Sequence, residues 1–311
     1  MNLYEQQARN RRRTWLVMAV FVGLVLLLGL GFDAALTSAQ GAIVPIGTVA
    51  ALLYGSSTAA YSYFNGDRAV LASTRAVDLE SAIAANPAHL PYRQLQNVVD
   101  EMAIAAGLPR PRVYVIADQD PNALATGRDP GHAVICVTTG LLHKLDRLEL
   151  EGVVAHELSH IGNYDILLGS LVVVMVGIVT LLSDWIMRSY FWGGRRRRDD
   201  ERGGQGAAIL LVAGMLLALV APLIAQLVRL AISRRREFLA DASGALITRY
   251  PKGLADALRK LDADTDPLEA ANKATAHMYI VNPLKGQGGM VNRLFSTHPP
   301  IGERIRALER M

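Results

Sequence analysis

The chain has 311 residues, of which 51% are hydrophobic, and its mean hydropathy of +0.23 is higher than soluble enzymes usually show. Its one cysteine, Cys136, excludes an intramolecular disulfide and a cysteine-based metal site. The formal net charge is +4, but arginines cluster beside apolar segments, at residues 9–13 and 234–236, and we find no nucleic-acid motif. Such placement is typical of basic residues that set membrane topology and meet anionic lipid.

Four segments carry no charge over lengths relevant to a membrane: residues 14–32, 34–66, 166–183 and 203–228. A helix needs about 20 apolar residues to cross the hydrocarbon layer, so we predict about four spans. Basic residues before the first segment place the N-terminus in the cytoplasm, and the loop at 33–40 lies outside. We predict that the first segment is an uncleaved anchor, because no small-residue cleavage site stands before Asp33.

The loop at 188–202 leaves a second topology open. It holds six arginines, and it lies outside if the third and fourth segments both span. That arrangement opposes the tendency of basic residues to stay in the cytoplasm. A re-entrant or surface-lying hairpin is the alternative, and it requires protein cover for any non-helical backbone.

The remaining blocks predict a cytosolic α+β domain in two parts. Residues 1–66 form one membrane hairpin, 67–165 the first part of the domain, 166–232 a second hairpin, and 233–311 the second part. We predict helices at 67–85, 141–145 and 147–163, and strands at 112–117, 121–127 and 133–137. A further helix is indicated by apolar residues on one face, and Gly107 ends it. The second part is mostly helical, with a glycine-rich loop at 285–289.

His156-Glu157-Leu158-Ser159-His160 is an H-E-x-x-H pattern on the helix predicted at 147–163. Positions four apart share a helix face, so both imidazoles can reach one zinc ion at about 2.0–2.1 Å. Glu157 lies about 100° around the helix. There it suits a general base that takes a proton from a water, since zinc lowers the pKa of bound water to about 7.

Catalytic zinc takes a third protein ligand and keeps one open position. The first candidate is Glu237, with Asp241 one turn further on the same face, where it can accept a hydrogen bond from the other nitrogen of a ligand histidine. The second candidate is His298, in a Ser-Thr-His-Pro-Pro stretch.

Together these pieces resemble the HtpX-like heat-shock membrane metalloproteases, which are related to the prenyl-protein (CAAX) zinc proteases. The resemblance spans about two thirds of the chain. The matching segments appear in family order: PNALATGR at 121–128, VTTGLL at 137–142, ELEGVVAHELSHI at 149–161, SRRREFLAD at 233–241, ANKATAH at 271–277 and FSTHPPI at 295–301.

The resemblance implies roles for individual residues. It makes His156, His160 and Glu237 the ligands of one zinc ion per chain, Glu157 the general base and Asp241 the partner of a ligand histidine. It sets His298 and Arg304 beside the site, where they could steady the oxyanion of a tetrahedral intermediate. The strand from Asn122 through Ala123 and Leu124 to Ala125 is the sheet edge expected to hold substrate backbone. His277 is a further, weaker candidate.

The expected fold class is an α-helical membrane protein of about four spans with a cytosolic α+β zincin-like catalytic domain. The expected function is zinc-dependent peptide-bond hydrolysis. The resemblance implies quality control of misfolded membrane proteins in the bacterial inner membrane, as part of a stress response, with the active site facing the cytoplasm. Partners are protein substrates and the lipid bilayer, with no nucleic acid.

Three rival functions stay open at this point. A non-catalytic chaperone or scaffold with structural zinc does not require Glu157. A metal transporter places its ligands inside spans, whereas these spans have no central histidine or carboxylate. A CAAX-type processing protease differs in its substrate. Neither the natural substrates nor the oligomeric state follow from the sequence.

Overall fold

The computed structural model describes residues 3–40, 45–175, 177, 234–264, 266, 268, 270–271, 275–283 and 299–311. Two long helices open the chain, α1 at Leu3–Gln40 and α2 at Ile46–Thr74, and they pack against each other. In this part of the protein one unbroken helical stretch, Gln7–Gly31, is long and apolar enough to cross a membrane.

The loop expected at residues 33–40 is wrong, because α1 continues as a helix to Gln40. Asp33, whose charge suggested that the helix ends there, instead binds the start of the next helix. The Asp33 carboxylate accepts hydrogen bonds from the backbone amides of Gly47 at 2.7 Å and Thr48 at 2.8 Å. Amides in the first turn of a helix have no partner within the helix, so Asp33 caps the start of α2. Pro45 precedes that start and therefore does not interrupt the helix.

A four-stranded sheet follows the two long helices. Its strands are β1 at Val77–Asp78, β2 at Arg112–Ile116, β3 at Ala123–Gly127 and β4 at Ala133–Thr138, in the spatial order β1-β2-β4-β3. The β2–β4 pair is parallel and the other two pairs are antiparallel. The three predicted strands are confirmed as β2, β3 and β4. The order places β3 at an edge of the sheet.

Helices flank the sheet. They are α3 at Leu79–Ala85, α4 at Leu90–Ala106 and α5 at Thr139–Lys144. The predicted helix end at Gly107 is confirmed, with φ of 64° in the left-handed region that glycine adopts easily. The continuous helix predicted at 67–85 is wrong: α2 ends at Thr74, Arg75 takes a left-handed conformation, and β1 intervenes before α3.

The motif helix α6, Arg147–Gly162, is followed at once by α7, Asp165–Met175, and the two meet at an angle of 84°. Tyr164 makes this corner with φ of 59°. Later in the chain come α8 at Arg234–Thr248, α9 at Pro251–Asp262, a short 3-10 turn at Ala276–Met278, and α10 at Ile301–Leu308.

Several predicted features lie largely or wholly outside the described residues. The third apolar segment is described only as α7 and residue 177, and the fourth falls outside entirely, so the choice between two spans and a re-entrant hairpin stays a prediction. The arginine-rich loop at 188–202, the glycine-rich loop at 285–289 and His298 also lie outside the described part.

Candidate active site

The helix that carries the motif begins at a well-capped end. The Asp146 carboxylate accepts from the backbone amide of Glu149 at 3.0 Å, and the Glu149 carboxylate accepts from the amide of Asp146 at 2.8 Å. This reciprocal cap satisfies two amides that the helix leaves without partners. Lys260 of α9 lies 2.6 Å from the same Glu149 carboxylate. The cap therefore fixes both the start of α6 and its contact with α9.

Helix α8 approaches α6 closely at the first motif histidine. A Cβ on Gly244 would lie 3.1 Å from the backbone nitrogen of His156, so a larger residue there would push the helices apart. Glu237 and Asp241 precede Gly244 by seven and three residues and share its helix face. The close crossing therefore carries both carboxylates to His156.

Two imidazoles and one carboxylate converge between α6 and α8. The Nε2 atoms of His156 and His160 are 3.2 Å apart. The Glu237 carboxylate oxygens lie 3.9 Å from Nε2 of His156 and 3.6 Å from Nε2 of His160. Ligand atoms at tetrahedral corners, about 2.1 Å from an ion, lie about 3.4 Å from one another. The three side chains therefore fit a zinc ion in both donor chemistry and spacing.

Asp241 stands behind His156. Its Oδ1 lies 2.9 Å from Nδ1 of His156, although the contact is not aligned as a regular hydrogen bond. Burial lowers the pKa of His156 to about 4, more than Asp241 raises it. Burial also tends to raise the pKa of Asp241, but Arg304 and His156 together outweigh that effect and hold it below its ordinary value. His156 is thus neutral, as a metal ligand must be, beside a charged carboxylate.

Arg304 of α10 reaches Asp241, but it does not line the cleft between α6 and α8. Its Nε and Nη2 donate to the two Asp241 oxygens at 2.8 and 2.7 Å, and its Nη1 donates to the carbonyl of Ile280 at 2.9 Å. The side chain is wholly buried. The oxyanion role expected for Arg304 stays a prediction; the observed contacts make Arg304 the residue that fixes Asp241, with its Nη1 also 3.8 Å from the Glu237 carboxylate.

The second motif histidine has a carboxylate partner that the sequence reasoning missed. Oδ2 of Asp165 lies 3.2 Å from Nδ1 of His160. Burial acts to lower the pKa of His160, but Asp165, Glu237 and Glu157 together outweigh burial and raise the pKa to about 9. Asp165 follows His160 by five residues across the α6–α7 corner, so helical spacing alone does not reveal the contact.

Glu157 lines the cleft, with 2% of its surface exposed. Burial and the neighbouring Glu237 raise its pKa to about 7, although His160, Arg304 and the backbone of Ala125 act to lower it. A carboxyl group with a pKa near 7 can both accept and return a proton at neutral pH. Its position and pKa therefore suit the predicted general base.

The predicted substrate strand divides into two parts. Asn122 donates from its side chain to the carbonyl of Val281 at 3.0 Å, and the carbonyl of Ala123 accepts from the amide of Ile280 at 3.0 Å. Leu124 forms a β-bridge with Tyr279. The chain itself thus occupies the edge at these three residues, whereas Ala125 lines the cleft beside Glu157.

His277 also lines the cleft, and its Nε2 lies 3.3 Å from the carbonyl of Gly169 on α7. It is not one of the three side chains whose ligand atoms cluster. Its contact with α7 is consistent with a structural role in the segment that borders the cleft.

Two histidines of an H-E-x-x-H helix, a glutamate from a second helix and an adjacent buried glutamate define the class of site that metallopeptidases carry. The profile of peptidase family M48 matches residues 89–311, and the chain belongs to this family. Membership confirms the resemblance stated from the motifs and makes the chain a peptidase.

Individual relatives agree over nearly the whole length. A protein named Protease HtpX homolog from Thermoanaerobacter pseudethanolicus is 44% identical over 307 residues, which cover 99% of this chain and 97% of the relative. One of the same name from Lactobacillus helveticus is 40% identical over 313 residues, covering 99% and 100%. Among solved structures, S. mikatae Ste24p aligns at 16% identity with a TM-score of 0.47, covering 98% of this chain and 67% of that one. That likeness is too distant to carry an argument.

Proposed function

We propose that this peptidase is a membrane-bound, zinc-dependent endopeptidase that hydrolyses peptide bonds at the cytoplasmic surface of a bacterial inner membrane. The observation that carries the proposal is the cluster of His156, His160 and Glu237, whose ligand atoms all lie within 4.8 Å of one another. A buried glutamate in the same cleft, Glu157, supplies the base that structural zinc does not need.

His156, His160 and Glu237 would hold the zinc ion, and the ion would supply a Lewis acid that makes water nucleophilic near neutral pH. Asp241 and Asp165 stand against the Nδ1 atoms of the two histidines. Each carboxylate favours the tautomer with the proton on Nδ1, which leaves Nε2 with its lone pair towards the ion.

Glu157 performs the proton transfers. As water attacks the carbonyl carbon of the scissile peptide, a new C–O bond forms and Glu157 takes a proton from that water. Glu157 then gives the proton to the amide nitrogen, and the C–N bond breaks to give a carboxylic acid and an amine. The acid passes its remaining proton to the amine, so a carboxylate and an ammonium group leave. The same Glu157 side chain can perform both of its proton transfers, because it takes the proton as a base and returns it as the conjugate acid.

The substrate backbone would pair with the part of β3 that remains in the cleft. Ala125 lies there, while its neighbours Ala123 and Leu124 are already paired with residues 279–280. An extended peptide can add to a sheet edge through main-chain hydrogen bonds, which are indifferent to sequence. Such pairing supports a preference for unfolded segments of varied sequence over substrates that carry one fixed sequence motif.

The outer face of the α1–α2 pair supports attachment to a bilayer. Large apolar side chains that a soluble helix pair would bury are exposed along both helices: Trp15, Leu16, Leu27, Leu30, Ile46, Val49, Leu52 and Leu53. Trp15 and Tyr63 stack with ring centroids 6.2 Å apart, near the charged ends of both helices. Aromatic residues gather at membrane–water interfaces, and basic residues, here at 9–13, stay on the cytoplasmic side. Both tendencies support assigning this end to the cytoplasmic boundary. We therefore propose misfolded membrane proteins as substrates, in quality control under stress.

The decisive experiment compares wild type with Glu157→Gln, purified in detergent. Zinc content and cleavage of an unfolded membrane protein are measured on the same preparations. Glutamine preserves the shape of the side chain but cannot accept the proton. We expect about one zinc per chain in both proteins, and a loss of cleavage by several orders of magnitude in the variant.

Glu151→Gln is the matched control, because it makes the same change on the same helix where Glu151 pairs with Arg147 away from the cleft. It should cleave like wild type. If wild type binds zinc and cleaves neither the unfolded protein nor a prenylated CAAX peptide, the structural-zinc scaffold replaces the proposal. Cleavage of the prenylated peptide alone would instead favour the processing protease.

A further inference from the structure

The N-terminal end of α1 contacts the corner that directly follows the motif helix. Nε2 of Gln7 donates to the carbonyl of Gly162 at 2.8 Å. Nδ2 of Asn10 donates to the carbonyl of Asn163 at 2.8 Å, and also to Oδ1 of Asp165 at 2.8 Å. These contacts join residues more than 150 positions apart in the sequence. The segment before the first apolar stretch is therefore part of the wall behind the site.

The two oxygens of Asp165 have different partners. Oδ1 accepts from Asn10 and, at 2.9 Å, from Nη1 of Arg236 on α8. Oδ2 lies 3.2 Å from Nδ1 of His160. Donors from two helices hold one oxygen of the carboxylate, so the other is kept facing the imidazole. Asn10 is itself buried, with 5% exposure, which makes its amide a fixed donor.

A continuous stripe on α1 keeps this contact in place. Towards the N-terminus the stripe is polar, with Gln7, Asn10 and Thr14. Further along it is apolar, with Val17, Phe21 and Leu24, which pack against Leu168, Val172 and Met175 of α7. These positions recur every three or four residues and so share one face of the helix. The apolar part docks α1 along α7, and the polar part then meets the beginning of α7.

From these contacts we infer that Asp165 is a positioning residue for His160 and that Asn10, from the membrane-anchoring helix, holds Asp165 in place. A carboxylate on the distal nitrogen of a ligand histidine fixes the ring orientation and raises its basicity, and removing such a partner weakens metal affinity by about 10–100-fold. The first helix is thus a component of the metal site as well as an anchor. This inference rests on the proposed zinc site.

The test measures zinc affinity of the full-length protein in detergent by competition with a chelating dye, together with the absorption spectrum of the cobalt-substituted form. We expect Asp165→Ala to bind zinc about 10–100-fold more weakly and to shift the cobalt spectrum, because the ring of His160 reorients. Asp165→Asn retains an oxygen acceptor for Nδ1 and should recover most of the affinity. Asn10→Ala should give a smaller, several-fold loss in the same direction.

Gln7→Ala is the matched control, since Gln7 bonds to the same corner without touching Asp165. It should keep wild-type affinity and spectrum. Equal losses in Asn10→Ala and Gln7→Ala, or none in Asn10→Ala, would overturn the part assigned to α1. Wild-type affinity in Asp165→Ala would overturn the positioning role. If Asp165→Ala does not fold, Asn10→Ala against Gln7→Ala decides. Failure of wild type itself to bind zinc would count against the proposed function instead.

Discussion

Arg304, on the last helix of the chain, binds both oxygens of Asp241, and Asp241 lies against the first histidine of the motif helix. The chain thus closes its C-terminus onto the site, and the contact is wholly buried on both sides. The guanidinium and carboxylate match in a two-pronged geometry that lysine cannot reproduce.

Breaking this pair should destabilise the protein strongly. Arg304→Ala leaves the Asp241 carboxylate buried without its cationic partner, a change that costs about 3–5 kcal/mol in comparable sites. We expect the unfolding temperature of Arg304→Ala in detergent to be clearly lower than that of wild type. Arg304→Lys should recover only part of the lost stability. Arg306→Ala is the control, because Arg306 is exposed on the same helix. Similar unfolding temperatures for both alanine variants would contradict the assigned role.

Removing the metal should loosen the contact between α6 and α8. A ligand that binds the folded state alone stabilises it by about 4 kcal/mol at 1,000 times its Kd. We expect a chelator to lower the unfolding temperature of wild type and zinc to restore it. Glu237→Gln weakens the ligand that α8 contributes, so its unfolding temperature should respond much less to zinc. An equal response in both proteins would show that Glu237 does not bind the ion.

Zinc binding should depend on pH. Without metal, the pKa of His160 is raised to about 9, so this side chain carries a proton at pH 7. A ligand histidine must be neutral, so binding releases that proton. The apparent zinc affinity should therefore weaken as pH falls from 9 to 7, by about tenfold per pH unit for one proton. Calorimetry in buffers with different ionisation enthalpies measures the released proton directly. A zinc affinity that does not change between pH 7 and pH 9 would argue against release of a proton from His160.

Close helix packing behind the site should not tolerate an added methyl group. A Cβ on Gly152 would lie 2.7 Å from the backbone nitrogen of Leu254, so Gly152→Ala forces α6 and α9 apart. Overpacking of this kind costs about 1–3 kcal/mol. Gly162→Ala, on the same helix, meets only a leucine side chain at 3.5 Å and should have little effect. Thermal unfolding of the two variants measures this difference. Equal unfolding temperatures for Gly152→Ala and Gly162→Ala would contradict the prediction.

The residues of the proposed metal site could be chosen from the sequence because their spacing is local. His156 and His160 share one helix face, and so do Glu237 and Asp241, so each pair is visible in the sequence as a separation of four. Their convergence on one ion required the resemblance as well, since nothing in the spacing says that α8 crosses α6. Gly244, which permits that crossing, looks like any other glycine until its neighbour is known.

Asp165, Asn10 and β1 escaped prediction for different physical reasons. Asp165 reaches His160 across a corner that depends on the left-handed conformation of Tyr164. That conformation is uncommon for a bulky residue, and no sequence pattern indicates it here. Asn10 acts across more than 150 residues. The two residues of β1 are too few to show an alternating pattern, and the helices on either side indicated one continuous helix.

The outer edge of β3 has a consequence beyond substrate binding. Residues 279–281 cover its first half, and the hydroxyl of Ser170 meets both the amide and the carbonyl of Gly127 at its far end. An open strand edge is a template on which other chains can stack into aggregates. Among the described residues, these contacts leave roughly one residue of that edge for a visiting strand, which shields the protein itself from stacking with other chains into a growing sheet.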